Sequence, residues 1–194
     1  MTLNLPNKMT LSRVFLIPVF MILMLAPLPF GEMTFINGTL PTAHFIGGLL
    51  FIIAASTDWL DGYVARKYSL VTNFGKFLDP LADKMLVTAA FISLVEIGLV
   101  PAWMVIVILS REFAVTGIRL VAAADGEVIA ASRIAKWKTA FQLIALAALL
   151  LYNHPFEAWH IPFAQITLWI ALILTILSGV DYFLKNRAIL LKTK

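Results

Sequence analysis

Four aspartates stand at helical spacing within two neighbouring apolar stretches of the chain. Asp58 and Asp61 are three residues apart, and Asp79 and Asp83 are four residues apart. Side chains at these spacings lie on one face of an α-helix, so each pair directs its carboxylates the same way. Carboxylate oxygens are hard ligands that suit Mg²⁺, Mn²⁺ or Ca²⁺. Four of them can hold two divalent ions of the kind that assists phosphoryl transfer.

Three explanations of this acidic cluster are compatible with the residues alone. Two unit charges about 4 Å apart repel by about 4 kcal/mol at an effective dielectric near 20, so the carboxylates must be protonated or neutralised by cations. The aspartates could instead be helix caps and solvated interface charges. They could also mark an ion or proton route, because acids within membranes often do. The outward halves of both stretches are apolar, which argues against a transport route.

The composition of the chain indicates that these aspartates belong to a membrane protein. Of the 194 residues, 61% are hydrophobic and 13% are charged, whereas soluble domains have roughly 45–50% apolar and about 25% charged residues. So few charges cannot cover a soluble globule, and disordered chains are poor in hydrophobic residues. The sequence has no cysteine, which excludes disulfides and thiolate metal sites.

Six apolar stretches separated by short polar breaks predict an all-α, polytopic membrane protein. A transmembrane helix needs about 20 residues, and the sequence has room for six. The predicted helices cover residues 9–30, 42–67, 76–97, 101–124, 134–153 and 161–183. A short juxtamembrane segment precedes the first, and no linker divides the chain, so we predict a single domain over residues 1–194.

The basic residues predict the orientation of these helices. They occur at both termini and around the second and fourth breaks, at Lys8, Arg13, Arg66, Lys67, Lys76, Arg119, Arg133, Lys136, Lys138, Lys185, Arg187, Lys192 and Lys194. The first, third and fifth breaks contain no lysine or arginine. The positive-inside rule then places both termini and the aspartates on the cytoplasmic side. The net charge of +4 therefore reflects topology and contact with anionic lipids, and nucleic acid is not an expected partner.

The acidic cluster is part of a longer pattern. In chain order the residues read Asp58-x-x-Asp61-Gly62-x-x-Ala65-Arg66, eight residues, and Gly75-x-x-x-Asp79-x-x-x-Asp83. This pattern resembles the signature of the CDP-alcohol phosphatidyltransferase family, membrane enzymes of phospholipid synthesis. The resemblance implies a bacterial cytoplasmic-membrane enzyme that uses CDP-diacylglycerol and releases CMP. It also implies a homodimer.

The resemblance implies a role for each residue of the pattern. The four aspartates would bind two divalent cations, Mg²⁺ or Mn²⁺, and Asp83 would also be the general base that deprotonates the acceptor hydroxyl. The CDP moiety would be bound by four further residues, Gly62, Ala65, Arg66 and Gly75. A small residue at these positions lets a ligand approach the backbone closely, and arginine offers a planar set of donors to phosphate.

The opening segment resembles that of family members that accept glycerol 3-phosphate. It implies a contact with the nucleotide for Asn7, Thr10 and Arg13, in a segment along the membrane surface. The alternative is that this segment only begins the first helix, with Asn7 or Thr10 as its N-cap.

A separate group of charges predicts the acceptor. Arg111 is expected near mid-bilayer, where a charge needs a partner or an aqueous cavity. Glu112, Thr116 and Arg119 follow as one polar stripe. Neighbours in a helix point about 100° apart, so Arg111 and Glu112 are not expected to pair directly.

These basic residues favour an acceptor that itself bears phosphate. The predicted phosphate ligands are Arg111, Arg119, Arg133 and Lys136. They favour glycerol 3-phosphate, with phosphatidylglycerol, serine or inositol as the alternatives and a cation or proton transporter as the alternative from another class. For Lys138 we expect only an anchoring role at the membrane surface, and Glu112 could pair with a basic group of another helix.

Overall fold

A computed structural model of the protein describes the backbone of residues 5–35, 38–67, 73–124, 126, 129–130 and 132–190. Within these ranges, the side chains of residues 5–7, 35, 58–67, 73–77, 79–80, 124 and 188–190 lie outside the description. The described residues form six α-helices: α1 (Leu5–Leu25), α2 (Thr42–Lys67), α3 (Asn73–Glu96), α4 (Ala102–Ala124), α5 (Arg133–Leu150) and α6 (Phe163–Leu190). The predominantly helical fold is thus confirmed.

The connection between α1 and α2 differs from the prediction. Helix α1 ends at Leu25 rather than near residue 30, because Pro27 and Pro29 follow in close succession, and each lacks the backbone N–H that a further helical turn would need. An antiparallel hairpin follows, formed by β1 (Glu32–Phe35) and β2 (Gly38–Pro41). The sequence did not predict these strands. The opening segment is also not a separate element, since α1 already begins at Leu5.

Helix α5 ends three residues before its predicted end. Tyr152 and Asn153 adopt positive φ angles of 53° and 64°, which the right-handed helix does not allow. The Asn153 amide then accepts a hydrogen bond from the Ala164 backbone N–H at 2.9 Å and donates one to the Ile161 carbonyl at 2.7 Å. A 3₁₀-helix (Phe156–Trp159) lies in this connection. Asn153 thereby ties the end of α5 to the start of α6, which runs to Leu190 rather than to residue 183.

The three connections without lysine or arginine meet at one end of the bundle. Residues of β2, of the α3–α4 connection and of the α5–α6 connection line one cavity of about 800 Å³, among them Thr39, Leu99 and His160. Consecutive helices therefore alternate in direction, as the charge pattern predicted. The other end carries the junction of α4 with α5, together with the parts of α2 and α3 that hold the aspartates.

The apolar core lies toward the hairpin end of the bundle. All six helices contribute buried residues to it, including Phe20, Phe51, Leu94, Ile108, Leu146 and Leu168. Glycine allows α2 to approach α5 here: a Cβ on Gly48 would lie 3.0 Å from a Leu151 methyl group and 3.3 Å from the Leu150 carbonyl oxygen. The buried polar residues of α5, Lys138 and Gln142, lie nearer the start of that helix than its apolar core residues do.

The outer surface of the bundle is apolar. On α4, Ile106, Phe113 and Leu120 recur every seven residues and are 63%, 66% and 67% exposed. The charged residues of α4 lie on other faces. Within the described part of the chain, two stretches are long and apolar enough to cross a membrane by composition, Lys8–Leu25 and Phe163–Arg187. Helices α3, α4 and α5 do not meet this criterion of length and composition, because each carries at least three charged residues.

Candidate active site

Asp83 lies on α3 beside a small internal cavity of about 70 Å³. Its side chain is half-buried. The cavity is bounded by three helices, and its lining residues are Asp83, Lys84, Val87, Thr88, Leu109, Glu112, Phe113, Lys138, Thr139, Gln142 and Leu143. A predicted general base thus stands against a space that a small hydroxyl-bearing group can enter.

The other three predicted metal ligands lie on the helices that the sequence predicted. Asp58 and Asp61 are on α2 and Asp79 is on α3, and these two helices contact each other. Their side chains are outside the described residues, and in the described part of the chain no three histidine, cysteine or acidic side chains form a metal site. The donor set remains all carboxylate, which fits a hard divalent cation. The two-metal site therefore remains a prediction.

The predicted CDP ligands fall into two groups. Gly62, Ala65, Arg66 and Gly75 lie on α2 and α3, and Asn7 lies on α1, but their side chains are outside the described residues. Thr10 and Arg13 are each only 2% exposed.

Thr10 and Arg13 of α1 are buried within the protein, whereas other side chains of the same helix, such as Phe15, are exposed. Arginine is almost never fully buried unless it is paired, so the burial of Arg13 indicates a role inside the bundle. Asn7 and Thr10 both lie within α1. Neither is its N-cap, so the capping alternative is wrong.

A neighbouring cavity of about 400 Å³ brings together three of the four predicted phosphate ligands. It is called the larger cavity below, and the cavity beside Asp83 is called the smaller cavity. Arg111 and Arg119 reach it from α4 and Lys136 from α5. Lys84 of α3 lines it as well. Arg133 does not line it and is exposed at the first turn of α5. Among the described residues that line it, four are cationic and Glu112 is acidic, so this cavity favours an anion.

The Arg111 guanidinium has unused hydrogen-bonding capacity. Its side chain is 11% exposed. Its Nε and Nη2 atoms are buried and find no hydrogen-bond partner among the described residues. Buried donors are paired in most proteins, and a guanidinium presents its donors in a planar fork that matches phosphate. Arg111, which lines the larger cavity, therefore has two donors without a partner among the described residues.

Glu112 is the one carboxylate among the described residues of the larger cavity, and it pairs with two cations. Its Oε1 atom lies 3.6 Å from Arg111 Nη1 and also forms an ion pair with Lys138 Nζ of α5. The expectation that Arg111 and Glu112 do not pair is wrong, because the long arginine side chain bends back although the two Cβ atoms diverge. The pairing of Glu112 with a basic group of another helix is confirmed.

Lys138 is not a surface anchor, which corrects the interpretation of the sequence. Its side chain is 2% exposed, because it projects from α5 toward the inside of the bundle. The positive charge of Lys138 suggested a role in membrane topology. A buried ammonium needs a carboxylate partner, and Glu112 of α4 provides it. Lys138 therefore links α4 to α5 directly between the two cavities.

Two residues of this site were missed by the sequence analysis. Lys84 donates a hydrogen bond to the Thr116 hydroxyl, which in turn donates to the Glu112 carbonyl at 2.7 Å. A charge inside an apolar stretch is the signal that selected Arg111, and it would have selected Lys84. Tyr182 of α6 accepts a hydrogen bond from Arg119 Nε at 3.0 Å, and its ring lies 5.7 Å from the guanidinium carbon. Nothing in the spacing of Tyr182 signals this contact.

Gly179 of α6 makes room for Arg111, and this leads to a prediction. A Cβ at position 179 would lie 3.1 Å from Arg111 Cγ. Gly179→Val is expected to push the guanidinium out of the cavity and to raise the KM for a phosphate-bearing acceptor by about 10-fold to 100-fold, because small displacements of positioning groups are costly. Steady-state kinetics with a varied acceptor concentration measures this effect.

Gly117→Val is the matched control for this substitution. A Cβ at Gly117 would meet nothing within 4 Å, so this variant adds the same valine to a helix without touching Arg111. An equal rise of KM in both variants would contradict the role of Gly179.

Comparison with known proteins identifies the family of the chain. The CDP-alcohol phosphatidyltransferase family profile matches residues 3–177. The CDP-diacylglycerol--glycerol-3-phosphate 3-phosphatidyltransferase of Bacillus subtilis (strain 168) is 61% identical over 183 residues, 94% of this chain and 95% of that protein. The protein of the same name from Rickettsia typhi (strain ATCC VR-144 / Wilmington) is 41% identical over 181 residues, 93% of this chain and 95% of its own length.

A third relative has a different name. The probable phosphatidylglycerophosphate synthase of Mycobacterium tuberculosis (strain CDC 1551 / Oshkosh) is 36% identical over 179 residues, which cover 92% of this chain and 79% of that protein. Identity at these levels extends over nearly the whole helical bundle. The aspartate spacing predicted this relationship, and the prediction is confirmed: the chain belongs to the CDP-alcohol phosphatidyltransferase family.

Proposed function

We propose that this protein transfers the phosphatidyl group of CDP-diacylglycerol to glycerol 3-phosphate, producing phosphatidylglycerophosphate and CMP. The larger cavity carries this proposal, because Lys84, Arg111, Arg119 and Lys136 all line it. An acceptor without phosphate would leave these cations uncompensated. Relatives named for the same reaction support the assignment.

The neighbouring cavities suggest how the acceptor is oriented. Lys84, Glu112 and Thr139 line both cavities, and Asp83 lines the smaller one. A phosphate bound by the cations of the larger cavity would leave the carbon chain of the acceptor directed toward Asp83. Holding both reacting groups in place converts an encounter in solution into a reaction within one complex.

The proposed reaction exchanges one phosphorus–oxygen bond for another. An acceptor hydroxyl oxygen forms a bond to the phosphorus next to the diacylglycerol, and the bond from that phosphorus to the CMP oxygen breaks. Asp83 takes the proton of the hydroxyl, which makes the oxygen a better nucleophile. CMP departs with the bonding electrons.

The metal site and the nucleotide site are proposed from the aspartate pattern. Asp58, Asp61, Asp79 and Asp83 would hold two divalent cations, Mg²⁺ or Mn²⁺, and bound cations would neutralise charge on the diphosphate and leaving group. The CDP moiety would contact residues of α1, α2 and α3, namely Asn7, Thr10, Arg13, Gly62, Ala65, Arg66 and Gly75. Arg133 stays a proposed phosphate ligand at the rim, where its exposed side chain could meet an incoming acceptor.

We also propose six membrane spans in a single domain over residues 1–194. The apolar exterior of α4 supports this, since a helix with buried charges still presents Phe113 and Leu120 outward. The proposed orientation places both termini and the active site on the cytoplasmic side of a bacterial membrane, because the basic residues lie there. A homodimer is proposed from the family resemblance.

An acceptor panel tests the proposed function. We expect purified protein with CDP-diacylglycerol and Mg²⁺ or Mn²⁺ to release CMP with glycerol 3-phosphate, and at least about 100-fold less efficiently with serine or inositol, because a site built for a phosphate rejects acceptors that leave its cations without one. Phosphatidylglycerol, whose phosphate is a diester with one negative charge instead of two, is also expected to react less efficiently. Mass spectrometry of the lipid product identifies the acceptor that was used. A reaction without acceptor is the control for hydrolysis of the CDP-lipid.

Two outcomes would contradict the proposal. Success with serine or inositol and failure with glycerol 3-phosphate would move the protein to another acceptor class. Divalent-cation flux into liposomes without CMP release would indicate a transporter.

A further inference from the structure

Gln142 has no role in the proposed reaction so far, yet it lies in the smaller cavity. It is on α5, one turn after Lys138, and is 4% exposed. It lines the cavity together with Asp83. Its Oε1 atom is buried and has no hydrogen-bond partner in the part of the chain that the structure describes.

The buried Oε1 atom of Gln142 lacks a hydrogen-bond donor among the described residues. Buried polar atoms in native proteins are nearly always hydrogen-bonded, and the exceptions mark functional sites or bound molecules. The cavity of about 70 Å³ exceeds the space that one water molecule needs. A hydroxyl group on a short carbon chain fits this volume, and it brings the donor that Oε1 lacks.

The charged neighbours of Gln142 make their described contacts elsewhere. Lys138 Nζ pairs with Glu112 Oε1, and Lys84 Nζ donates to the Thr116 hydroxyl. Neither ammonium donates a hydrogen bond to Oε1. A hydroxyl of a molecule that enters the cavity can supply the donor instead.

We propose that Gln142 accepts a hydrogen bond from the non-reacting hydroxyl of the acceptor and thereby selects a vicinal diol. This inference rests on the proposed function and adds a specificity-determining residue to it. With the phosphate in the larger cavity and one hydroxyl at Asp83, the second hydroxyl of glycerol 3-phosphate meets Gln142. A site that hydrogen-bonds a substrate hydroxyl discriminates strongly against the analogue that lacks it, because its own polar group is then left unpaired.

Two acceptors and one substitution test the proposal. The analogue 3-hydroxypropyl phosphate keeps the phosphate and a terminal hydroxyl but lacks the middle hydroxyl. The wild-type protein is expected to use glycerol 3-phosphate at least about tenfold more efficiently, by kcat/KM for CMP release. Gln142→Leu, of similar size but without an acceptor atom, is expected to lower kcat/KM for glycerol 3-phosphate by about tenfold. Its kcat/KM for the analogue should change little, so the discrimination disappears.

Two further variants distinguish a specific role of Gln142 from a general effect on folding. Gln142→Asn withdraws the amide by one methylene and is expected to lose the discrimination too, with less risk to folding. Ser93→Ala is the matched control, because Ser93 is fully buried on α3, its Oγ has no described partner, and it lines neither cavity. Ser93→Ala should keep the wild-type preference for glycerol 3-phosphate.

The outcomes separate this inference from the proposed function. No CMP release by the wild-type protein with glycerol 3-phosphate would overturn the proposed function itself. Equal use of both acceptors by an active wild-type protein would overturn the role of Gln142 alone. So would an equal loss on both acceptors in the leucine and asparagine variants, since that pattern indicates a structural role or a bound water.

Discussion

Asp83→Asn is expected to lower the rate of CMP release by about 1,000-fold or more. Asparagine has nearly the same shape as aspartate but cannot take a proton from the acceptor hydroxyl, and general-base catalysis alone contributes about 10²-fold to 10⁴-fold. The substitution also removes one charge from the proposed cation site. Release of CMP from CDP-diacylglycerol at saturating glycerol 3-phosphate measures the loss, and thermal unfolding in detergent verifies that the variant is folded.

Asp181→Asn is the matched control for this substitution. Asp181 lies on α6, where its carboxylate pairs with Lys185 at 2.7 Å, and it lines neither of the two cavities. This variant makes the same chemical change without touching the site and is expected to keep near-normal activity. Turnover of Asp83→Asn close to that of Asp181→Asn would show that Asp83 is not the base.

Glu112→Ala is expected to destabilise the protein by about 3–5 kcal/mol. The substitution leaves the ammonium of Lys138, which is 2% exposed, inside the bundle without its carboxylate. Removing one partner of a buried ion pair has a cost of this size because the remaining charge is neither solvated nor paired. Thermal or denaturant unfolding in a fixed detergent measures the change.

The double variant Glu112→Leu/Lys138→Met separates charge from packing. Replacing both partners with apolar residues of similar size leaves no buried charge, so most of the stability should return, although acceptor binding should not. Asp181→Ala breaks an ion pair whose lysine is 66% exposed, and exposed pairs contribute only about 0–1 kcal/mol. If Glu112→Ala were no more destabilising than Asp181→Ala, the Glu112–Lys138 pair would have no structural role.

The helical class and the family could be predicted from the sequence because both depend on local patterns. Apolar stretches of sufficient length and few charges specify helices in a bilayer. The spacing from Asp58 to Asp83 specifies the family, since fixed intervals along two helices determine which residues share a face. The alternation of basic and non-basic connections likewise predicted that three connections meet at one end.

Local deviations from these patterns were not predictable in the same way. The hairpin of β1 and β2 has only four residues in each strand, too few to produce a clear alternation of apolar and polar residues. The early end of α5 depends on the left-handed Tyr152 and Asn153. Asparagine tolerates that conformation, but whether a given residue adopts it depends on the contacts that its side chain finds, here with the start of α6.

The partners of each charge were decided by the tertiary structure. The sequence identified Arg111, Arg119 and Lys136 as candidate phosphate ligands, and a charge such as that of Arg111 within a bilayer requires a partner or an aqueous cavity. It could not identify Glu112 as the partner of Lys138, or Tyr182 as the partner of Arg119, because each of those pairs joins two different helices. The rotation of each helix about its own axis determines such pairs.

What the sequence determined by itself is therefore the set of chemical groups: an apolar helical bundle, four aspartates at fixed intervals and a few internal cations. Only the tertiary structure distinguished Lys138, which is buried and paired, from Arg111, whose Nε and Nη2 atoms lack partners among the described residues. It alone placed Gln142 beside Asp83. The physical reason is that composition and spacing act along one helix, whereas burial and pairing depend on how neighbouring helices pack.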